Sequence, residues 1–222
     1  MKISKKTISS YESTYKDGYD KGYPSIELVR LEKLFFNQIP GKVLDYGCGP
    51  GTNGIHLLKK GYHVTFCDIS KYALTKVRKK IKLNKIRKNY KIVNLSKNKN
   101  FLKYKSPVFD YIICFSVFNN LGTKDNAVKY VRFFNKLLKK NGKLIIDSNL
   151  DGKNNYKLIN KKKNIYTTHQ ENEYGLQMFF PNKSNFIKII KSCGFEVKDV
   201  GYAMFKVFNS FENEIIISAV KK

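Results

Sequence analysis

The chain has 222 residues, 42% of them hydrophobic, which fits one globular domain with a full core. No apolar run approaches the roughly 20 residues that span a bilayer, and the opening MKISKKTISSYESTYKDGYD lacks the apolar centre of a secretory signal, so a cytoplasmic protein without a membrane span is expected. The net charge of +26 raises a nucleic acid or membrane surface as partner. Lysine carries nearly all of that charge, however, and arginine, the residue favoured for bidentate phosphate and base contacts, stands only at Arg30, Arg78, Arg87 and Arg132, which makes nucleic acid the less favoured partner. What survives is a positive field that would draw in an anionic small molecule.

In chain order, PSIELVRLEKLFFNQI (24–39) has a proline near its start and apolar residues at helical spacing, which predicts a helix packed on the core. Apolar runs bounded by Gly, Asn and Asp then alternate with lysine-rich amphipathic stretches, the pattern of a parallel sheet with crossover helices. The predicted strands are 42–47, 63–68, 90–95, 109–116 and 142–149, and the predicted helices are 52–60, 71–83 and 125–139, the last stopped at Asn141-Gly142. Residues 151–174 are polar with little periodicity and read as an inserted loop or small subdomain. A helix over 182–193 closed by Gly194 follows, and FEVKDVGYAMFKVF and NEIIISAV read as a final antiparallel pair. Cys48, Cys67, Cys114 and Cys193 form no C-x-x-C pair and sit mostly in apolar runs, so they are expected as reduced core thiols, with no metal.

The glycine turn in VLDYGCGPGTNG (43–54) lets backbone approach a ligand at a helix N-terminus. GPGTNG satisfies the dinucleotide pattern G-x-G-x-x-G, but Asp45, two residues before Gly47, would repel a pyrophosphate and could complement the ammonium group of S-adenosylmethionine. Asp68, ending the second strand, suits ribose hydroxyls in either cofactor class.

D-Y-G-C-G-P-G resembles motif I of the class I S-adenosylmethionine-dependent methyltransferases, and the resemblance extends over CDIS, FDYIICFSVFNNL, LLKKNGKLIID and the C-terminal strand pair. It implies a Rossmann-like α/β fold: a seven-stranded, mostly parallel sheet with an antiparallel last strand, helices on both faces, an N-terminal lid and an insertion after the fifth strand. One methyltransferase domain would then span 1–222, with a lid and helix over 1–40, a cofactor-binding core over 41–150, a substrate-side insertion over 151–180 and a C-terminal helix and strand pair over 181–222. Carried over by position, it implies that Asp45, Gly47 and Gly49 cradle the methionine part, Asp68 binds the ribose diol and Ile69 lies against adenine. Asn94 and Leu95 would stand near the adenine amino group, although Asn94 departs from the acidic residue usual there, and Phe115 would stand beside the methyl.

Tyr11, Tyr15, Tyr19 and Tyr23 recur every four residues; aromatic faces suit a sulfonium cation, which makes Tyr11 and Tyr15 lid residues, while Gly18 and Gly22 argue against one continuous helix. Arg30 could pair with the methionine carboxylate. Where many relatives carry a histidine after the fourth strand, this chain has Asn119-Asn120, which can orient an acceptor but cannot take its proton. His169, in the insertion beside Tyr166, Glu171 and Glu173, is the one general-base candidate; an acceptor already ionised, or a neutral amine, would need none.

These readings converge on methyl transfer from S-adenosylmethionine, giving S-adenosylhomocysteine, to a small anionic acceptor. The chain's size and its YESTYKDGYDKGYPS opening resemble methyltransferases of bacterial surface-polysaccharide clusters, which implies a sugar, a nucleotide-linked intermediate or a phosphoryl or phosphoramidate group as acceptor. The alternatives are an RNA or protein methyltransferase using the basic stretch KVRKKIKLNKIRKNYK (76–91), and a noncatalytic adenosylmethionine-binding protein.

Overall fold

The computed structural model describes residues 4–36, 41–97, 107–150, 156–169, 173–207 and 210–222. Strands β1 (Lys42–Tyr46), β2 (His63–Asp68), β3 (Tyr90–Asn94), β4 (Phe109–Cys114) and β5 (Leu138–Asn149) are parallel; β10 (Ser210–Lys221) runs antiparallel between β5 and β9 (Phe195–Val207). The order β3-β2-β1-β4-β5-β10-β9 makes a seven-stranded sheet in which β10 alone is reversed. The apolar runs that predicted strands are buried on both faces, as a parallel sheet covered by helices requires. Along β4 the alternation is visible: Tyr111 and Ile113 enter the core beneath α2 (Ile26–Phe35), α3 (Thr52–Lys59) and α4 (Lys71–Leu83), while Ile112 and Cys114 enter the core beneath α5 (Lys124–Leu137) and α6 (Lys183–Ser192). All four cysteines are buried and free.

Three elements differ from expectation. α5 ends at Leu137 rather than running to 139, because Leu138 is fully buried and already pairs with Phe109; Asn141, at φ +62°, turns the chain so that pairing resumes at Tyr111 and Lys143. The aperiodic insertion contains a three-stranded antiparallel sheet, β6 (Tyr156–Asn160), β7 (Ile165–Thr168) and β8 (Gln177–Phe179). Strands this short show little period, and the sheet's own cluster is only Leu176, Met178 and Phe180, with Tyr11 and Tyr166 against it. The tyrosine-rich opening forms α1 (Lys5–Lys16), capped by the Ser4 hydroxyl accepting from Thr7 N–H at 3.0 Å and stopped before Gly18. Among the described residues no helix is long and apolar enough to cross a membrane.

Candidate active site

The carboxyl ends of β1, β2 and β4 converge, as ligand sites in open α/β sheets do. After β1 the chain turns through Gly47, Gly49 and Gly51, all at positive φ, and the Gly47 and Cys48 N–H groups donate to the Cys67 carbonyl at 2.8 and 3.0 Å, which anchors the turn on β2. Above it lies a cavity of about 460 Å³, within the range of small-ligand sites. Gly49 is where the turn and the lid approach most closely: a Cβ there would stand 2.8 Å from the Tyr15 hydroxyl.

Asp68 lies on the cavity wall and is 5% exposed. Its Oδ2 accepts from Gly49 N–H at 2.9 Å and its Oδ1 from Ser70 N–H at 2.8 Å, so one carboxylate sets the glycine turn and the start of α4 together. Burial pushes its pKa up to about 6 against these stabilising hydrogen bonds. Asp45 sits beneath the turn and off the wall, 3% exposed, with Oδ2 unpartnered among the described residues; burial, opposed by the Gly54 N–H and assisted by the charge of Asp68, raises it to about 7. Both values lie above the ordinary 3.8, so the folded chain holds these protons more tightly than the unfolded chain. The stability this contributes is complete below about pH 4 and is lost as pH rises through 6 to 7. Asp45→Asn is therefore expected to gain on the wild type in thermal melts as pH goes from 5 to 8, by up to about 2.5 kcal/mol.

The lid is held from two sides. Glu12 of α1 caps the start of α4, with Oε2 accepting from the Ser70 hydroxyl at 2.8 Å and Oε1 from Lys71 N–H at 3.1 Å. On the other side Tyr11 donates to Glu173 Oε1 at 2.8 Å and Lys6 Nζ donates to the Gly175 carbonyl at 3.0 Å. Because α1 has no fully buried residue, these polar contacts add to the packing of Tyr11 on Leu176, Met178 and Phe180 in docking it. Glu12→Ala is expected to speed amide exchange along α1 at least tenfold while shifting the melting temperature by less than about 3 °C, as for loss of a helix-capping side chain outside the core.

Of the residues singled out from the sequence, Tyr11, Tyr15, Gly47, Asp68, Ile69, Leu95 and Asn120 line the cavity. Gly49 borders it under Tyr15. Asn119 is 9% exposed and fully committed: its Nδ2 donates to the Phe179 carbonyl at 2.9 Å and its Oδ1 accepts from Asn149 N–H at 2.9 Å, tying β5 to β8. Arg30 is exposed on α2 and Phe115 packs against the core under α2, α3 and α4; neither is on the wall. Asn94 turns away to accept from Ser96 N–H at 2.9 Å and Lys97 N–H at 3.1 Å. His169 is exposed, its ring 5.9 Å from that of Tyr174, and it is also off the wall. Glu171 lies outside the described residues. Sequence reading missed Tyr46, Tyr130, Asn126 and Gln177, which complete the wall from β1, α5 and β8. Tyr46, which stands inside the glycine motif, was the one readable signal among them; its ring meets Tyr130 edge-on at 5.9 Å. Among the described residues no cluster of His, Cys, Asp and Glu could hold a metal ion.

The groups around the cavity fit an adenosine with a cationic tail: a buried acceptor carboxylate at Asp68, apolar flanks at Ile69 and Leu95, and the Tyr15 ring over a glycine turn. Residues 44–144 match the family model described as a methyltransferase domain. No curated protein matches the sequence. Among solved structures, a methyltransferase of Methanosarcina mazei is 16% identical, with 89% of this chain and 98% of that one covered at a TM-score of 0.69. The magnesium protoporphyrin IX methyltransferase of Synechocystis, solved with S-adenosylmethionine bound, is 18% identical, with 100% and 99% covered at 0.65. The 1,6-didemethyltoxoflavin-N1-methyltransferase of Burkholderia thailandensis, solved with its substrate and S-adenosylhomocysteine, is 17% identical, with 98% and 88% covered at 0.70. Residues 44–144 thus carry the match to a methyltransferase domain, within a chain whose fold is that of the class I S-adenosylmethionine-dependent methyltransferases.

Proposed function

We propose that this enzyme methylates a small molecule carrying one anionic group, and that it does so without a general base. The observation that carries this reading is the chemistry of the cavity wall. Lys6 is its only cation among the described residues, and the rest is amide, hydroxyl and apolar surface around one carboxylate, Asp68. The basic stretch 76–91 contributes nothing to that wall, so the positive charge of the chain does not form a track leading into the site. Two of the structural neighbours are methyltransferases named for small molecules, magnesium protoporphyrin IX and 1,6-didemethyltoxoflavin. Phosphorylated or nucleotide-linked sugars of surface-polysaccharide synthesis fall within the acceptor class.

S-adenosylmethionine, when bound, supplies a methyl group already activated on a sulfonium centre. Asp68 would receive the ribose hydroxyls, Ile69 and Leu95 would flank the base, and the glycine turn would admit the methionine part close to the backbone. Tyr15 and Tyr11 would close over that end and exclude water, with their rings stacked 6.5 Å apart. Lys6 keeps two ammonium protons beyond its bond to Gly175 and would take the anionic group of the acceptor. No wall residue is suited to remove a proton. Burial raises the hydroxyls of Tyr11, Tyr15, Tyr46 and Tyr130, which therefore stay protonated at neutral pH, and Asp68 is committed to two backbone amides. The acceptor would then bring its own lone pair, as an ionised oxygen or a neutral amine.

The test is release of S-adenosylhomocysteine across a panel of sugar phosphates, nucleotide sugars and small amines, followed by His169→Ala on the best acceptor. Turnover on a small acceptor is expected, with at least half of the wild-type kcat retained in the variant. A drop in kcat of tenfold or more at unchanged KM would restore a base at His169, and turnover only on RNA or protein would overturn the small-molecule reading.

A further inference from the structure

Around the turn 116–122, whose Val117 packs against Gly47, the cavity wall carries three carboxamides with one shared arrangement. Asn120 Nδ2 donates to the Ser116 carbonyl at 3.1 Å, Asn126 Nδ2 to the Leu121 carbonyl at 3.0 Å, and Gln177 Nε2 to the Gly122 carbonyl at 3.0 Å. The three come from different elements: the short 3-10 turn Phe118–Leu121, α5 and β8. All three line the cavity. A main-chain carbonyl can only accept, so the atom facing it in each carboxamide must be the nitrogen, and the usual ambiguity of amide orientation is removed. The oxygens are left over: among the described residues none of the three has a hydrogen-bond partner.

A turn that takes up one N–H from each side chain thus leaves every carboxamide with a free oxygen and a second N–H, three acceptors and three donors on one wall. An aliphatic group placed against it would leave all six unpaired, whereas a molecule offering several hydroxyl or amino groups would satisfy the oxygens by donating and, through its lone pairs, accept from the N–H groups. We propose that Asn120, Asn126 and Gln177 form the specificity subsite for the methyl acceptor, and that they select a molecule presenting several hydroxyl or amino groups in addition to the anionic group that Lys6 would take. This rests on the small-acceptor reading above and narrows it: the charge of the acceptor and its hydroxyl or amino groups are recognised by different side chains.

The probes are a hexose phosphate, the corresponding hexosamine phosphate and hexyl phosphate, which share one anionic group and differ in the donors they carry. Each is titrated calorimetrically into the full chain after saturation with S-adenosylhomocysteine, whose own binding is measured first. At least one sugar phosphate is expected to bind tenfold or more tightly than hexyl phosphate, the hydroxyl and amino arms showing which donor is preferred. Asn126→Leu and Gln177→Met should cut that preference below threefold while leaving the affinity for S-adenosylhomocysteine within twofold. Equal binding of the three probes, tighter binding of hexyl phosphate, or binding of none of them by a chain that binds S-adenosylhomocysteine would overturn the subsite. A chain that fails to bind S-adenosylhomocysteine would instead overturn the methyltransferase reading beneath it.

Discussion

Asp68→Ala is expected to weaken S-adenosylhomocysteine binding by about a hundredfold, the loss of roughly 2.7 kcal/mol that a charge-assisted pair of hydrogen bonds supplies in a desolvated site. Two losses combine in that number. The carboxylate would no longer meet the ribose hydroxyls, and Gly49 N–H and Ser70 N–H would lose the acceptors that hold the glycine turn at 2.9 Å and the start of α4 at 2.8 Å. Titration calorimetry reads the affinity, and a melting curve confirms that the variant is folded. An affinity unchanged within threefold in a folded variant would mean that the nucleoside does not lie at the end of β2.

Gly54→Ala carries the largest expected effect on folding. Gly54 opens no special turn; it sits within α3, where alanine would ordinarily be the better helix former. Here a Cβ would stand 2.2 Å from Cε1 of Phe66 and 2.8 Å from Asp45 Oδ2. Phe66 is fully buried and Asp45 is 3% exposed, so neither has room to yield. The substitution should cost about 3 kcal/mol, lowering the melting temperature by roughly 10 °C. Phe66→Leu in the same chain should recover part of it, because a shorter side chain vacates the volume that the methyl group needs. A melting temperature equal to or above that of the wild type would contradict the close packing of α3 on β2.

The contrast between these two positions shows what the sequence could and could not say. Gly49, Asp68 and Ile69 were legible because the chemistry of the glycine turn is local: positive φ, a helix start and an acidic residue at a strand end are all written within a few residues. The parallel strands were legible for a similar reason, since burial on both faces makes their apolar runs continuous. Tyr11 and Tyr15 were legible through their spacing, but the same spacing gave Tyr19 and Tyr23 no lesser claim until Gly18 was seen to end the helix; they are 54% and 68% exposed. Glu12 gave no signal, because its work is done on Ser70 and Lys71, almost sixty residues away along the chain. Asn126 and Gln177 look like ordinary polar residues of an amphipathic helix and a short strand. Only the fold brings them beside Asn120, and only the carbonyls of the intervening turn reveal which way each carboxamide points. His169 illustrates the opposite case: the identity of a residue suggested chemistry, and its position on an exposed segment does not supply the geometry.

Charge behaved in the same way. The total of +26 is a property of the whole surface, while among the described residues the cavity wall holds a single lysine, so the bulk figure says more about the field a ligand approaches through than about the contacts it finally makes.

The central claim is that the glycine turn and Asp68 hold an adenosylmethionine rather than a dinucleotide. Calorimetric titration of the purified chain with S-adenosylhomocysteine, with NAD and FAD run in parallel, tests it most directly. Micromolar binding of S-adenosylhomocysteine alone is the predicted result. Binding of either dinucleotide, with none of S-adenosylhomocysteine, would contradict the account.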